Sequence, residues 1–182
     1  MEEKKIIQLK QGLTTAFINY SHASNLAYKP QFISNNYKEG RKVISSVEDE
    51  LLNWEEFAIS VAFITMGGIT PLLQTLRELE YRGVRGKILT TDYLTFSEPE
   101  ALRKLAQFEN LELKMFVTEN RKEGFHTKGY IFKKEEIYRI IVGSSNMTSS
   151  ALTTNREWNT KIVSTEQGEY THNVVEEFDQ LW

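Results

Sequence analysis

Apolar residues recur along this chain with two periods, and the switches between them mark its elements. From about Lys5 to Tyr20 they fall at Ile6, Ile7, Leu9, Leu13, Ala16, Phe17 and Tyr20, a helical spacing. Ser21 to Asn36, with Pro30 and several Asn and Ser, reads as a loop. His22 lies in that loop and reads as a polar surface residue. A second amphipathic helix is expected from Tyr37 to Trp54, with Val43, Ile44, Val47, Leu51 and Leu52 inward. Its acidic run Glu48-Asp49-Glu50 reads as the solvated face.

Phe57 to Thr65 is a nearly continuous apolar run of strand length, the pattern of a central strand covered on both faces. Gly67-Gly68 and Pro71 then introduce a helix through about Arg82. Lys87 to Thr91 and Leu111 to Val117 read as strands, with a helix from Glu98 to Phe108 between them. This β-α-β-α-β order predicts an α/β fold, with a mixed, largely parallel sheet and helices on both faces. The loops Met66–Thr70 and Thr91–Ser97 would follow the carboxyl ends of parallel strands, where open α/β sheets bind ligands. Asp92 reads more readily as shaping its loop than as lining a cleft.

Gly124–Lys133 and Ile137–Gly143 are two further strand-like runs, separated by Lys134-Glu135-Glu136 and close enough to form a hairpin. Met147 to Leu152 suits a short helix or turn, and Glu157 to Val163 a final strand. Tyr170 to Trp182 suits a closing helix with Val174, Val175, Phe178 and Leu181 inward; His172 on it reads as a surface or packing residue.

Candidate chemistry collects on the hairpin. Alternate residues of a strand share a face, so His126 and Lys128 point the same way, as do Ser144 and Asn146 if the strand persists that far. An imidazole, an ammonium, a hydroxyl and an amide at one spot suit a phosphate ester. The imidazole can attack phosphorus, and the others can donate to the non-bridging oxygens. Glu157, eleven positions after Asn146, offers a carboxylate to orient the imidazole.

Composition narrows the class. The 182 residues fit one domain, and 40% hydrophobic with 12% aromatic content argues for a globular protein. The absence of cysteine excludes disulfides and thiolate metal sites, and the three histidines are too scattered for a zinc site by spacing. No cofactor-binding pattern stands out: GVRGKI has the wrong spacing for a phosphate loop, and there is no G-x-S-x-G elbow. No apolar run approaches a membrane span and the N-terminus lacks a signal-peptide pattern, so the expected compartment is the cytoplasm. The net charge is −3, yet Leu111 to Lys161 holds nine Lys and Arg against six Asp and Glu. The motif region is therefore locally basic.

The residues His126-Thr127-Lys128 and Gly143-Ser144-Ser145-Asn146, followed by Glu157, resemble the signature of the phospholipase D superfamily. That signature reads His-x-Lys, four residues, Asp, then Gly-Ser-x-Asn; Lys133 stands where its Asp would be. Within the superfamily the wording is similar to the PLD-like nuclease domain found beside helicase domains and in some restriction endonucleases. The resemblance implies catalytic roles for His126, Lys128, Asn146 and Glu157, with Ser144 and Ser145 at the substrate. It implies metal-independent cleavage of a phosphodiester in two steps through a phosphohistidine, with no cofactor.

One motif copy supplies one histidine where that chemistry needs two, so the resemblance also implies a homodimer with a shared site. Its branch implies a nucleic-acid substrate, DNA, and a helicase domain fused to or associated with the chain. Residues 1–182 would then be a single PLD-like domain, the N-terminal part of a larger helicase-containing protein. The alternative is a catalytically silent DNA-binding or targeting module of a helicase or restriction protein, with Lys133 the reason for silence.

Overall fold

The structure, a computed structural model, describes residues 2–18, 21, 25, 27–119 and 121–182, with the side chains of residues 2 and 3 apart. Tyr20 and His22 lie outside the described residues. Strands β1 (Gln31–Ile33), β2 (Glu56–Val61), β3 (Arg85–Thr91), β4 (Leu111–Phe116), β5 (Lys128–Lys134), β6 (Ile137–Gly143) and β7 (Asn159–Thr165) form one sheet. Their order is β1-β7-β6-β5-β2-β3-β4.

The sheet is mixed, with its parallel part confined to β2–β3 and β3–β4. The remaining four pairings are antiparallel. The parallel share is thus smaller than the β-α-β-α-β order suggests. After β4 the chain crosses back to the free edge of β2, enters beside it in the opposite sense, and continues as adjacent antiparallel strands. The β5–β6 turn is two residues long, because Lys134 still pairs with Ile137. Glu135 takes φ 51° to close it.

Helices cover both faces. On one, α2 (Val43–Asn53), α4 (Leu73–Tyr81), α5 (Pro99–Leu105) and the short α6 (Ser149–Thr153) bury Val47, Leu51, Leu76, Leu79, Leu105 and Leu152 against Ile59, Val61, Ile88, Tyr130 and Phe132. A single turn, α3 (Met66–Ile69), precedes α4. On the other face α7 (Glu169–Leu181) packs Phe178 and its apolar neighbours against Leu89, Ile131, Tyr138 and Ile140. Each large side chain so buried contributes about 1.5–3 kcal/mol.

Two sequence expectations are corrected. Glu50 does not lie on a solvated face: it is 2% exposed, and its carboxylate accepts from Arg139 and Lys161 at 3.0 Å and from Trp54 Nε1 at 2.7 Å. The inward stripe of α2 needs one acid to meet two cations rising from β6 and β7, a long-range pairing that helical periodicity cannot reveal. The first helix, α1 (Glu2–Thr14), ends early because Ala16 and Phe17 take left-handed backbone conformations. Its Ile6, Ile7, Leu9 and Leu13 are each more than half exposed.

Candidate active site

Antiparallel alternation brings the amino end of β5, the carboxyl end of β6 and the amino end of β7 to one edge of the sheet. Lys128 pairs with Val61, the last residue of β2, and Gly143 with Asn159. The motif residues, distant in sequence, therefore meet beyond the carboxyl end of β2, where ligand sites form in α/β sheets.

His126 stands two residues before β5, in a segment pinned by buried Phe125 and by the Thr127 hydroxyl, 2.5 Å from that of Ser60. Its exposed ring meets Phe63 edge-on, with centroids 6.1 Å apart. The Lys128 ammonium lies 2.8 Å from His126 Nδ1 and donates to its carbonyl oxygen at 2.9 Å. An ammonium can only donate, so Nδ1 accepts and the neutral ring carries its proton on Nε2. Burial lowers the pKa of Lys128 below the ordinary lysine value, and the Glu157 carboxylate opposes that shift.

The Gly-Ser-Ser-Asn turn is clamped from two sides. A β-carbon at Gly143 would run into the Trp158 carbonyl, so only glycine lets β6 and β7 approach this closely. On the other side the chain after β2 runs alongside it: Phe63 N–H donates to Asn146 Oδ1 at 3.1 Å, and Met147 N–H to the Phe63 carbonyl at 3.1 Å. With its oxygen so engaged, Asn146 presents its amide NH2, a donor, toward the cleft. Ser144, exposed at the turn, donates its hydroxyl to Glu157 and accepts from the Trp158 N–H at 3.1 Å.

The structure thus brings His126, Lys128, Ser144, Asn146 and Glu157 to one edge, with two amendments. Glu157 bonds Ser144, and no ion pair joins it to His126 among the described residues. It acts on the site by its field, which reaches Lys128 and also the buried Tyr130; burial chiefly, and Glu157 secondarily, push that phenol's pKa well up. Ser145, expected at the substrate, is fully buried and accepts from Asn159 Nδ2 at 2.9 Å. Alternation turns it away from the cleft that Ser144 and Asn146 face.

Asn159 is the residue sequence reading misses. Its side chain bonds the Ser145 hydroxyl and N–H and, at 3.3 Å, the Ile33 carbonyl, fixing the turn from below. Its place at the start of β7, opposite Gly143 of the motif turn, is the signal that marks it. Asp92 shapes its loop, as expected: Thr118 donates its N–H and hydroxyl to it, each at 2.9 Å. Those bonds, the backbone one foremost, hold its pKa below the usual value.

Lys133 lies five residues along β5 from Lys128, which at about 3.3 Å per residue is roughly 17 Å away. It pairs with Glu166 at 3.7 Å beside Tyr138, and Glu135 and Glu136 sit at the hairpin tip beyond it. Much of the local basic excess is likewise engaged: Arg139 and Lys161 meet Glu50, and Lys134 meets Glu55. Among the described residues no cluster of His, Cys, Asp and Glu is arranged to hold a metal ion. No helix among them is long and apolar enough to cross a membrane.

The family model described as "Cardiolipin synthase, PLD-like domain" matches residues 53–182. No curated protein matches the chain. Among solved structures, NucT from Helicobacter pylori superposes with a TM-score of 0.64 at 13% identity, over 84% of this chain and 94% of that one. Nuc from Salmonella typhimurium, a phospholipase D family member, gives 0.63 at 17% identity, over 85% and 95%. TrmBL2, an archaeal chromatin protein, gives 0.53 at 16% identity, over 100% and 62%. At these identities the likeness is one of fold.

Proposed function

The chain belongs to the family of PLD-like domains described by the cardiolipin synthase model, and from that premise we propose that it is a metal-independent phosphodiesterase acting on nucleic acid, DNA foremost. The observation that carries this reading is the meeting of His126, Lys128, Asn146 and Ser144 at one sheet edge, with donors facing outward around an exposed imidazole.

The chemistry follows from those groups. A phosphodiester entering the cleft draws the Lys128 ammonium from Nδ1 to its own oxygens, freeing the ring to place its proton on Nδ1. Nε2 then attacks phosphorus; the N–P bond forms as the P–O bond to the leaving oxygen breaks. Lys128 and the Asn146 amide meet the negative charge that accumulates on the non-bridging oxygens. The leaving oxygen takes its proton from the corresponding histidine of a second copy. That histidine next accepts a proton from water, which attacks phosphorus and breaks the N–P bond. The attacking ring is neutral, while the second ring begins protonated and becomes neutral as it gives its proton, so able to take one from water. Imidazole exchanges a proton readily near neutral pH.

The homodimer rests on this need for two histidines and one motif copy per chain. Association with a helicase, and kinship with restriction endonucleases, rest on the motif resemblance alone. The silent-module alternative loses its first suspect, because Lys133 sits at the far end of β5 from the cleft. The test is cleavage of an oligonucleotide in excess EDTA, quenched in base, with mass spectrometry of the protein. A base-stable phosphoryl adduct on His126 is expected, absent in His126→Ala. Turnover that requires magnesium, or that survives His126→Ala, would overturn the mechanism.

A further inference from the structure

Beside the cleft, two aromatic rings stand in solvent. Phe32 of β1 is 62% exposed and Trp158 74% exposed; their rings meet edge-to-face with centroids 5.8 Å apart. Phe32 pairs with Thr160 across β1–β7, so Trp158, two residues before Thr160, falls diagonally opposite it on the same face. The backbone of Trp158 is part of the site's framework, since its N–H donates to Ser144 Oγ and its carbonyl accepts from Ser144 N–H, both at 3.1 Å. The backbone that carries the indole is thus fixed one residue from Glu157.

Phe32 also lines a groove of about 550 Å³ whose charged walls are Arg41, Lys42, Arg156 and Asp49, with Ser45 and Ser46 between them. Arg41 is engaged by Glu39. Lys42 and Arg156 make no ion pair among the described residues, and Arg156 immediately precedes Glu157. The groove's cations and hydroxyls thus meet Phe32, Phe32 meets Trp158, and the backbone of Trp158 meets Ser144 at the cleft.

We propose that this surface is a docking track for a single-stranded polynucleotide, which stacks unpaired bases on Trp158 and Phe32 and leads its scissile phosphate to His126. The proposal rests on the phosphodiesterase reading and names its substrate class. Base stacking on exposed aromatics tolerates any sequence and needs a bare base face, which a duplex does not offer. The groove supplies the complementary charge for the backbone phosphates flanking those bases.

The test measures binding by fluorescence anisotropy with labelled DNA and RNA 12-mers, the matching duplexes, and a 12-mer of abasic sugar-phosphate. Hydrolysis of bis(p-nitrophenyl) phosphate, a diester without bases, is followed alongside. Trp158→Ala and Phe32→Ala should each weaken single-strand binding at least about tenfold, while abasic and duplex binding stay within about twofold; small-diester hydrolysis by Phe32→Ala should also stay within about twofold. Trp158→Phe should restore most of the affinity. Lys42→Ala with Arg156→Ala should weaken all the polymers and flatten the salt dependence.

Unchanged single-strand binding in the aromatic variants, or equal loss on the abasic polymer, overturns the track. So does loss of self-association in sedimentation, or of binding to anionic vesicles, with oligonucleotide affinity intact. Those results would assign the rings to a second copy or to a lipid surface. If the aromatic effects on binding are as expected but no diester is hydrolysed by any variant, the track stands and the catalytic reading falls.

Discussion

The ammonium of Lys128 lies 2.8 Å from Nδ1 of His126, which makes the resting imidazole a proton donor at Nε2; in the proposed mechanism the ring becomes nucleophilic there only once substrate draws the ammonium away. Lysine and histidine should therefore separate cleanly on substitution. His126→Ala should abolish turnover yet leave oligonucleotide affinity within about threefold, since one neutral ring adds little to a charge-driven contact. Lys128→Ala should lower kcat/KM at least about a hundredfold and weaken binding as well. Parallel cleavage and anisotropy measurements check both.

The pH dependence has a defined sign. Burial lowers the Lys128 pKa, with Glu157 partly opposing. Phosphate recognition uses the charged form, so affinity and rate should fall as pH rises through this lowered pKa, earlier than for an exposed lysine. Glu157→Gln removes the opposing carboxylate and should move the alkaline limb of kcat/KM to still lower pH. A limb that stays in place in that variant would show that another group controls it.

Glu50→Ala strands Arg139 and Lys161, which converge on a carboxylate 2% exposed. Removing one member of such a buried cluster costs about 3–5 kcal/mol. Urea unfolding should show a loss of that size with the slope unchanged. A loss below about 1 kcal/mol would mean the two cations find water instead.

Asn159→Ala should damage both stability and rate without touching substrate. It leaves the buried Ser145 hydroxyl and N–H without that partner, a loss of about 1–3 kcal/mol. The loosened turn would then misplace Ser144 and Asn146, so kcat should drop with KM less affected. Asn159→Asp, which keeps the acceptor for the Ser145 N–H, should retain more activity than the alanine variant.

Lys133→Asp restores the residue of the superfamily signature and should change turnover less than about threefold, because position 133 is remote from the cleft. Its ion pair with the largely exposed Glu166 is worth less than about 1 kcal/mol. A large gain in kcat would show that the far end of β5 governs the site after all.

The elements of this fold were legible because their signals are local. The apolar run of β2, the hairpin spacing and the amphipathic closing helix each sit near their expected positions. The nearness of the His-x-Lys and Gly-Ser-x-Asn segments was legible from the hairpin spacing, although His126 precedes β5 and Ser144 and Asn146 follow β6, outside the strands whose alternation the sequence reading assumed. What escaped was pairing at long range. Glu50 reads as solvated until β6 and β7 supply its cations, and Glu157 reads as an imidazole partner until Ser144 proves nearer. Ser145 and Asn159 escape for the same reason: a sequence shows that both are polar, but not that they are buried together. The exposed stripe of α1 is the converse, since periodicity gives a helix its face without giving that face a neighbour.

Asn35 is buried ahead of the region matched to the family, and its amide donates to the carbonyls of Ala151 at 2.9 Å and Asn155 at 2.7 Å while its oxygen accepts from Val43 N–H at 2.8 Å. One asparagine thereby rivets the segment bearing Phe32, Arg41 and Lys42 onto the helix that follows the reactive turn. The proposed catalytic groups lie inside the matched region, whereas Phe32, Arg41 and Lys42 lie before it, on a segment held also by the β1–β7 pairing and by the buried face of α2. A substitution at Asn35 would loosen the segment that carries Phe32, Arg41 and Lys42 from the helix after the turn, and so disturb the flanking surface before it disturbs the proposed catalytic groups.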